Sequence, residues 1–185
     1  MTIERNDSEL VIRNATESDQ ESIQRIYTSA FAKEESEAVS KLACDLLALK
    51  SEPAVLSLMA EWNGTAVGHV CFSPISFAED ENVAGYILAP LAVEKGNQNR
   101  KIGTHLVEQG IAKLASEKAS IFLVYGDPKY YGRFGFTVEG AEKFVPPYKL
   151  QYPFGWQVLV KGYEGDQLPF GKIRCVAPLC DPSLW

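Results

Sequence analysis

Polar and basic residues surround one glycine at a predicted helix start, in the segment NQNRKIGTHLVEQGIAKL, residues 97–114. The first turn of a helix leaves backbone N–H groups unpaired and carries partial positive charge, so it attracts anions. Gly103 lets a ligand approach the backbone closely, and Arg100 and Lys101 can lie beside an anionic group. The pattern indicates a site for a diphosphate joined to an extended chain. A solvated loop before an ordinary helix is the alternative interpretation.

This segment differs from two common phosphate-binding loops. No Gly-Lys-Ser/Thr sequence closes it, as a P-loop requires, and it lacks the three spaced glycines of a dinucleotide-binding turn. It has instead the pattern Gln98-x-x-Lys101-x-Gly103, directly after the apolar segment LAPLAVE. A strand that runs into a helix through a tight polar turn is a common way for α/β proteins to hold phosphates.

Side chains suited to acid–base chemistry lie elsewhere in the chain. Glu34, Glu35 and Glu37 lie between the first two predicted helices, where a solvated helix face explains them more simply than catalysis does. His69 has a suitable pKa for a general base, although a half-buried strand position is the simpler interpretation. His105 lies just inside the helix that follows the anion site, and we interpret it as structural or as a minor phosphate neighbour.

The composition is that of an ordinary globular protein, with 46% hydrophobic and 23% charged residues. A net charge of −6 argues against general nucleic-acid binding but leaves room for a local basic pocket. The N-terminal segment MTIERNDSEL lacks the features of a signal peptide, and no apolar run approaches the ~18 residues of a membrane span. We therefore expect a cytoplasmic protein without nucleic-acid or membrane partners, as a monomer or homodimer.

The four cysteines show neither metal-finger nor CxxC spacing, so we expect reduced, buried thiols and no metal site; they are Cys44, Cys71, Cys175 and Cys180. None of them has a neighbouring group that would make it a nucleophile.

Hydrophobic periodicity predicts the elements that position these residues. Predicted strands cover 10–15, 55–62, 65–77, 85–94, 120–126, 155–163 and 171–177. Two helices are predicted at 16–31 and 35–49. A third is predicted directly after the anion site, and a short fourth one after Asp127. We expect a capping box from Ser18 and Glu21, a hairpin at Asn63-Gly64, and a distorted strand at Pro90. This order indicates one α/β domain with a mixed sheet.

The segment LAVEKGNQNRKIGTHLVEQGIAKL, residues 91–114, resembles the acetyl-CoA signature of the GNAT superfamily of N-acetyltransferases. That signature is an apolar strand end followed by Arg/Gln-x-x-Gly-x-Gly/Ala at a helix start. Gln98 matches its first position and Gly103 its last, whereas Lys101 replaces the middle glycine. A lysine there either bears backbone strain of about 1 kcal/mol at positive φ, or the loop adapts and the ammonium meets a phosphate. We favour the second alternative.

A second segment, GDPKYYGRFGF at residues 126–136, resembles a bacterial branch of predicted GNAT enzymes. Many GNAT enzymes have a tyrosine four residues before a Gly-Phe pair, as Tyr131 stands before Gly135 and Phe136. The resemblance covers about residues 10 to 140 in element order, and the last 45 or so residues match only loosely. It implies a single N-acetyltransferase domain over 1–185, with a core at about 10–140 and C-terminal strands and an extension at 141–185.

The resemblance also implies the fold and the chemistry. The fold would be a mixed, mostly antiparallel central sheet with helices on both faces. The activity would be direct transfer of an acetyl group from acetyl-CoA to a small-molecule or protein amine, with Tyr131 as general acid and Glu37 as the candidate base. A backbone N–H near Leu91 to Val93 would stabilise the oxyanion. The implied cofactor-binding residues are Leu91, Ala92, Val93, Gln98, Asn99, Arg100, Lys101, Ile102, Gly103 and Thr104.

Two other functions are compatible with the sequence. A non-catalytic acyl-CoA sensor on the same fold would keep the cofactor site without turnover, and a structural α/β domain would have no affinity for CoA. In the late segment FVPPYKLQYPFGW, residues 144–156, we expect most aromatic side chains to pack in the core and some to wall an acceptor pocket.

Overall fold

Eight strands in the described part of the chain form one mixed sheet. The computed structural model describes residues 9–77, 80–163 and 168–185, and for 80–84 only the backbone. The strands are β1 (Leu10–Asn14), β2 (Leu56–Trp62), β3 (Thr65–Phe77), β4 (Asp80–Val93), β5 (Ile121–Tyr125), β6 (Phe144–Val145), β7 (Trp156–Val160) and β8 (Gly171–Arg174). The main order is β1-β2-β3-β4-β5-β7, and β8 joins β3 to β6. Along the main order only the β4–β5 pair is parallel, so the expected mixed, mostly antiparallel sheet is confirmed.

Helices cover both faces of this sheet, as expected. They are α1 (Gln20–Ala30), α2 (Lys33–Ala48), α3 (Ile102–Ser116) and the one-turn α4 (Pro128–Tyr131). Alternation along β3 divides the core, because successive side chains point to opposite faces. Cys71 and Ile75 pack with α2, whereas Val70 and Phe72 pack with α3. No helix in residues 9–77, 80–163 and 168–185 is both long and apolar enough to cross a bilayer.

The first helix begins differently from the prediction. The expected capping box of Ser18 and Glu21 is wrong, since a 3-10 turn precedes α1 and Thr16 caps that turn. The Thr16 backbone N–H donates to Asp19 Oδ2 at 2.7 Å. Arg13 donates to both oxygens of the same carboxylate, and this pairing holds the pKa of Asp19 well below its usual range. The carboxylate therefore ties β1 to the start of α1.

Two predicted irregularities in the sheet are confirmed. Asn63 and Gly64 both have positive φ, 51° and 76°, at the β2–β3 hairpin. Along the β3–β4 pair the register shifts between Val70 and Phe72, whose partners are Leu91 and Leu88. Cys71 thus lies opposite two residues, one of which is Pro90. Proline has no N–H for the ladder, which explains a bulge at this point.

The parallel strands β4 and β5 approach closely at one end and separate at the other. A Cβ at Gly85 would lie 2.3 Å from the Ile121 carbonyl oxygen, so only glycine permits this approach. Pairing then runs from Tyr86 opposite Phe122 to Leu88 opposite Val124, and stops there. The rest of β4, up to Val93, has no strand partner on that side among the described residues. The separation opens a gap in the sheet.

The C-terminal region departs from the expectations in detail. β8 ends at Arg174 rather than near 177, and the short β6 was not predicted. All four cysteines are free thiols, but only Cys71 and Cys175 are buried. The expectation of burial is therefore wrong for Cys180, which is exposed, and for the partly exposed Cys44.

Candidate active site

A groove of about 500 Å³ lies between the end of β4 and the start of α3. Every predicted cofactor-binding residue except Arg100 lines it: Leu91, Ala92, Val93, Gln98, Asn99, Lys101, Ile102, Gly103 and Thr104. The Arg100 guanidinium instead lies 5.3 Å from the centre of the Trp62 ring, a cation–π contact outside the groove lining. The fold thus brings the end of an extended strand beside a helix N-terminus.

The loop before α3 holds Lys101 in a left-handed conformation, with φ 61° and ψ 11°. The expectation that the loop adapts to avoid this is wrong, because the lysine takes the backbone angles that glycine favours. Asn99, two residues earlier, also has a positive φ of 63°. The Lys101 carbonyl accepts the first hydrogen bond of the helix, from the His105 N–H at 3.0 Å. The helix therefore begins with a regular hydrogen bond although Lys101 has strained backbone angles.

The same loop is fastened to α1 by polar contacts. Arg25 pairs with Glu94, and its Nη2 donates to the Ala66 carbonyl at 2.6 Å. The Lys95 backbone N–H donates to Ser29 Oγ at 3.1 Å. These contacts fix where the chain leaves β4 and how it enters the loop.

Backbone polar groups at the end of β4 face the groove. Gln98 Nε2 donates to the Val93 carbonyl at 3.1 Å, so this carbonyl points away from β3. Backbone groups of an antiparallel strand alternate in direction, which places the Leu91 N–H on the same side. That N–H lies in the stretch from Leu91 to Val93 where an oxyanion donor was predicted.

The groove is lined by two cations, Lys101 and Arg133, and by no carboxylate among the described residues. Arg133 lies with its guanidinium carbon 4.3 Å from the Tyr130 ring centre, and its Nε donates to the Tyr130 carbonyl at 2.9 Å. Sequence reasoning missed both Tyr130 and Arg133. The sequence could have suggested both, because they lie within two residues of Tyr131 in the segment that predicted the short helix. The electrostatics of the groove favour an anionic ligand.

A second cavity, which we call the inner cavity, adjoins the groove and has a volume of about 430 Å³. Its walls include Phe31, directly after α1, Val39 and Leu42 from α2, and Pro90 and Leu91 from β4. From β5 onward they include Tyr125, Asp127, Tyr131 and Trp185. Leu91 lines both the groove and the inner cavity, so the two meet beyond the bulge in β4.

Tyr131 lines the inner cavity from α4. Asp127 caps that helix by accepting a hydrogen bond from the Lys129 N–H at 2.9 Å, and Pro128 occupies the first position, as predicted. A Cβ at Gly126 would lie 2.4 Å from the Tyr131 ring, so this glycine makes room for it. Burial, and then the neighbouring Tyr130, raise the pKa of the Tyr131 phenol well above its usual range. Tyr131 therefore stays protonated at neutral pH.

The other predicted acid–base residues do not line the inner cavity. Glu37 is exposed on α2 and does not line the inner cavity, to which the same helix contributes Val39 and Leu42. His105 is also exposed, with Nδ1 3.9 Å from Glu108 Oε2. The structure thus gives Glu37 and His105 the positions expected of solvated helix residues.

His69 is fully buried rather than half-buried as expected. Its Nδ1 lies 3.1 Å from the Tyr27 hydroxyl, and its Nε2 lies 2.8 Å from Ser57 Oγ. Burial lowers the pKa of His69 to about 3. The ring is therefore a neutral, satisfied core group that joins α1 to β2 and β3, and it faces neither cavity.

Residues 20–136 match the family model of the acetyltransferase (GNAT) family. The chain is 32% identical over 166 residues to YjhQ of Escherichia coli strain K12, described as an uncharacterized N-acetyltransferase, covering 87% of this chain and 89% of YjhQ. It is also 32% identical over 107 residues to the uncharacterized N-acetyltransferase YhbS of the same strain, covering 56% of this chain and 61% of YhbS.

Solved structures share the fold. The crystal structure of E. coli YhbS in complex with CoA superposes with a TM-score of 0.77 at 23% identity, covering 96% of each chain. A GNAT family acetyltransferase from Brucella melitensis, in complex with acetyl-CoA, superposes with a TM-score of 0.66 at 28% identity, covering 92% of this chain and 98% of that one.

Proposed function

The chain belongs to the GNAT family of acetyltransferases, and from that premise we propose that it transfers an acetyl group from acetyl-CoA to an amine. One observation carries the proposal: a groove with cationic residues and a largely apolar cavity share the wall residue Leu91, and the partly buried Tyr131 lines that cavity. The groove suits the cosubstrate and the inner cavity suits the acceptor. The relatives from E. coli and B. melitensis, solved with CoA and acetyl-CoA, support this assignment of the groove.

The residues at the start of α3 would hold the cosubstrate phosphates. Backbone N–H groups of the first turn and the side chains of Lys101 and Arg133 supply donors and positive charge. The unpaired edge of β4, from Leu91 to Val93, offers backbone groups to an extended chain that carries amides of its own. Gly103 makes room for Tyr130 at the helix start, since a Cβ there would lie 2.6 Å from the Tyr130 hydroxyl.

Direct transfer forms a bond between the amine nitrogen and the acetyl carbon, and breaks the bond from that carbon to the CoA sulfur. The carbonyl oxygen gains negative charge during attack, and a backbone N–H at Leu91 is the donor that we assign to it. The departing sulfur takes a proton, and we assign that proton to Tyr131. A phenol whose pKa is raised by burial is protonated at neutral pH, as this role requires.

The ammonium nitrogen loses one proton to solvent before it attacks and a second after attack, and the second restores the Tyr131 phenol through solvent. Glu37 was the sequence candidate for this base, but its exposed position outside the inner cavity gives the assignment no support. Water in the open mouth of the cavity is the simpler route for the proton, and we therefore propose no side-chain base.

Two measurements on the whole chain test this function. Thermal unfolding with acetyl-CoA, desulfo-CoA or ATP tests the groove: at 100 times Kd a ligand adds about 2.7 kcal/mol, a shift of a few degrees at this chain length. Amine-dependent release of free thiol, with mass spectrometry of the acetylated amine, tests the transfer. A shift with acetyl-CoA but not with ATP, together with thiol release, is expected. No shift at millimolar acetyl-CoA would refute the proposal.

A non-catalytic acyl-CoA sensor is the second candidate, favoured by the strained Lys101 in place of the signature glycine. It predicts the thermal shift without thiol release for any amine. The transfer assay therefore separates the two candidates.

A further inference from the structure

A third space, which we call the outer cavity, adjoins the inner cavity and has a volume of about 440 Å³. The two share five lining residues: Tyr125, Gly126, Asp127, Leu184 and Trp185. The outer cavity adds Tyr152 and Phe154, whose exposed fractions are 53% and 63%, and the polar residues Gln151 and Ser183. We call the two adjoining cavities together the chamber; Leu91 and Tyr131 line its inner part and Phe154 its outer part.

The walls shared by the two cavities are mainly aromatic. Trp185 Nε1 donates to the Leu179 carbonyl at 3.0 Å, and the Tyr125 hydroxyl accepts the Tyr152 backbone N–H at 2.8 Å. The rings of Tyr125 and Trp185 are stacked, with an interplanar angle of 9° and centroids 6.4 Å apart. These two side chains therefore offer ring surfaces to an apolar or aromatic ligand body.

Asp127 carries the one formally charged side chain among the described residues that line either cavity. One of its oxygens accepts the Lys129 N–H, and the other accepts no hydrogen bond from the described protein groups. A carboxylate in this position attracts an ammonium group. A second ammonium group on the ligand would find no second side-chain carboxylate among the described residues that line the two cavities.

We infer that the acceptor is a monoamine with an elongated apolar or aromatic body, an inference that rests on the proposed function. Its nitrogen lies in the inner cavity, where Leu91, Tyr131 and Asp127 meet, and its body extends past Trp185 into the outer cavity. Amines whose bodies carry a second charge, such as diamines and amino acids, are poor ligands.

Isothermal titration of the CoA-loaded protein tests this directly. The probes are 4-phenylbutylamine, butylamine and 1,4-diaminobutane, which share a four-carbon chain and differ at its far end. We expect 4-phenylbutylamine to bind on the order of tenfold more tightly than the other two, because it buries a phenyl ring. Equal or tighter binding of 1,4-diaminobutane or butylamine would overturn the inference.

Variants locate the binding within the chamber. Phe154→Ala should weaken 4-phenylbutylamine binding several-fold, whereas Phe170→Ala, at an exposed phenylalanine that lines neither cavity, should not. Asp127→Asn keeps a side chain that can cap α4. It should weaken the binding of 4-phenylbutylamine but not the binding of the uncharged 4-phenylbutanol. Equal losses for both probes would exclude recognition of the ammonium by Asp127.

The same probes in the thiol-release assay keep this inference separate from the proposed function. Acetylation of 1,4-diaminobutane in preference to 4-phenylbutylamine would refute the acceptor class and support the transferase. Tight binding of 4-phenylbutylamine without acetylation of any amine would support the chamber's chemistry and refute the transferase.

Discussion

The rings of Tyr130 and Tyr131 pack edge to face with their centroids 5.0 Å apart, yet they line different cavities. Successive residues on a helix point about 100° apart, so one turn of α4 supplies a wall to the groove and another to the inner cavity. Gly103 accommodates the first phenol and Gly126 the second ring. The proposed acid is therefore held in place by the same short helix that borders the cosubstrate groove.

Tyr131→Phe removes the phenol that we assign to sulfur protonation and keeps the ring in its packed position. We expect kcat to fall by about 10²-fold, the lower end of what general acid catalysis contributes, with little change in the KM for acetyl-CoA. Tyr130→Phe is the matched variant and should leave kcat within about twofold. Steady-state kinetics with both substrates varied gives these values. Equal kcat in Tyr131→Phe and the wild type would exclude the acid role.

Lys101→Ala and Lys101→Gly remove the same charge but differ in backbone cost. Both should weaken acetyl-CoA binding to a similar extent, because both lose the ammonium at the groove. Glycine adopts a φ of 61° without strain, so Lys101→Gly should unfold with a free energy about 1 kcal/mol higher than Lys101→Ala. Urea unfolding and ligand titration measure the two effects. Equal unfolding free energies of the two variants would contradict backbone strain at position 101.

Glu37→Gln tests the candidate that the geometry does not support. Its side chain is exposed and does not line the inner cavity, so we expect kcat and kcat/KM to stay within about twofold of the wild type at every pH tested. Initial rates at several pH values provide the comparison. A tenfold loss of kcat would restore Glu37 as the base.

His69 should make the protein less stable in mild acid. The unfolded histidine binds a proton below about pH 6.5, whereas the folded one, with its pKa at about 3, does not. The unfolded state thus binds more protons than the folded state between pH 6.5 and 3. The contribution of His69 to the free energy of unfolding therefore has its full value above pH 6.5. It is lost on acidification by about 1.4 kcal/mol per pH unit.

The variant His69→Gln lacks this titration. Its unfolding free energy should be lower than that of the wild type at pH 7 but should fall less steeply between pH 6.5 and 4.5. His105→Gln, at an exposed position, is the control and should keep the steeper wild-type dependence. Urea denaturation at a series of pH values measures the slopes, and identical slopes in all three proteins would disprove the assignment.

Hydrophobic periodicity located β1 to β5 and the first three helices, because each of them packs one face or both faces into the core. The signature at residues 91–114 predicted where the groove lies, because it marks the point at which a strand end meets a helix start. The contacts from α1 to Glu94 and Lys95, which fasten the chain before the loop, join residues that are distant in the sequence, so no local pattern records them.

The acceptor chamber was beyond sequence reasoning. Trp185 contacts other aromatic rings and also lines both cavities. Part of the late aromatic segment does wall a cavity, through Tyr152 and Phe154. These roles depend on how the C-terminal residues fold back onto β5, a long-range arrangement that helix and strand periodicity does not encode.

Helix α1 connects the surroundings of the groove and the inner cavity. Arg25 and Ser29 fasten the chain just before the groove-lining loop, and Phe31, directly after the helix, lines the inner cavity. One helix and the residue that follows it thus contact both the chain before the groove and a wall of the inner cavity. By thermodynamic linkage, any coupling between the two sites that this connection carries acts on both affinities by the same factor.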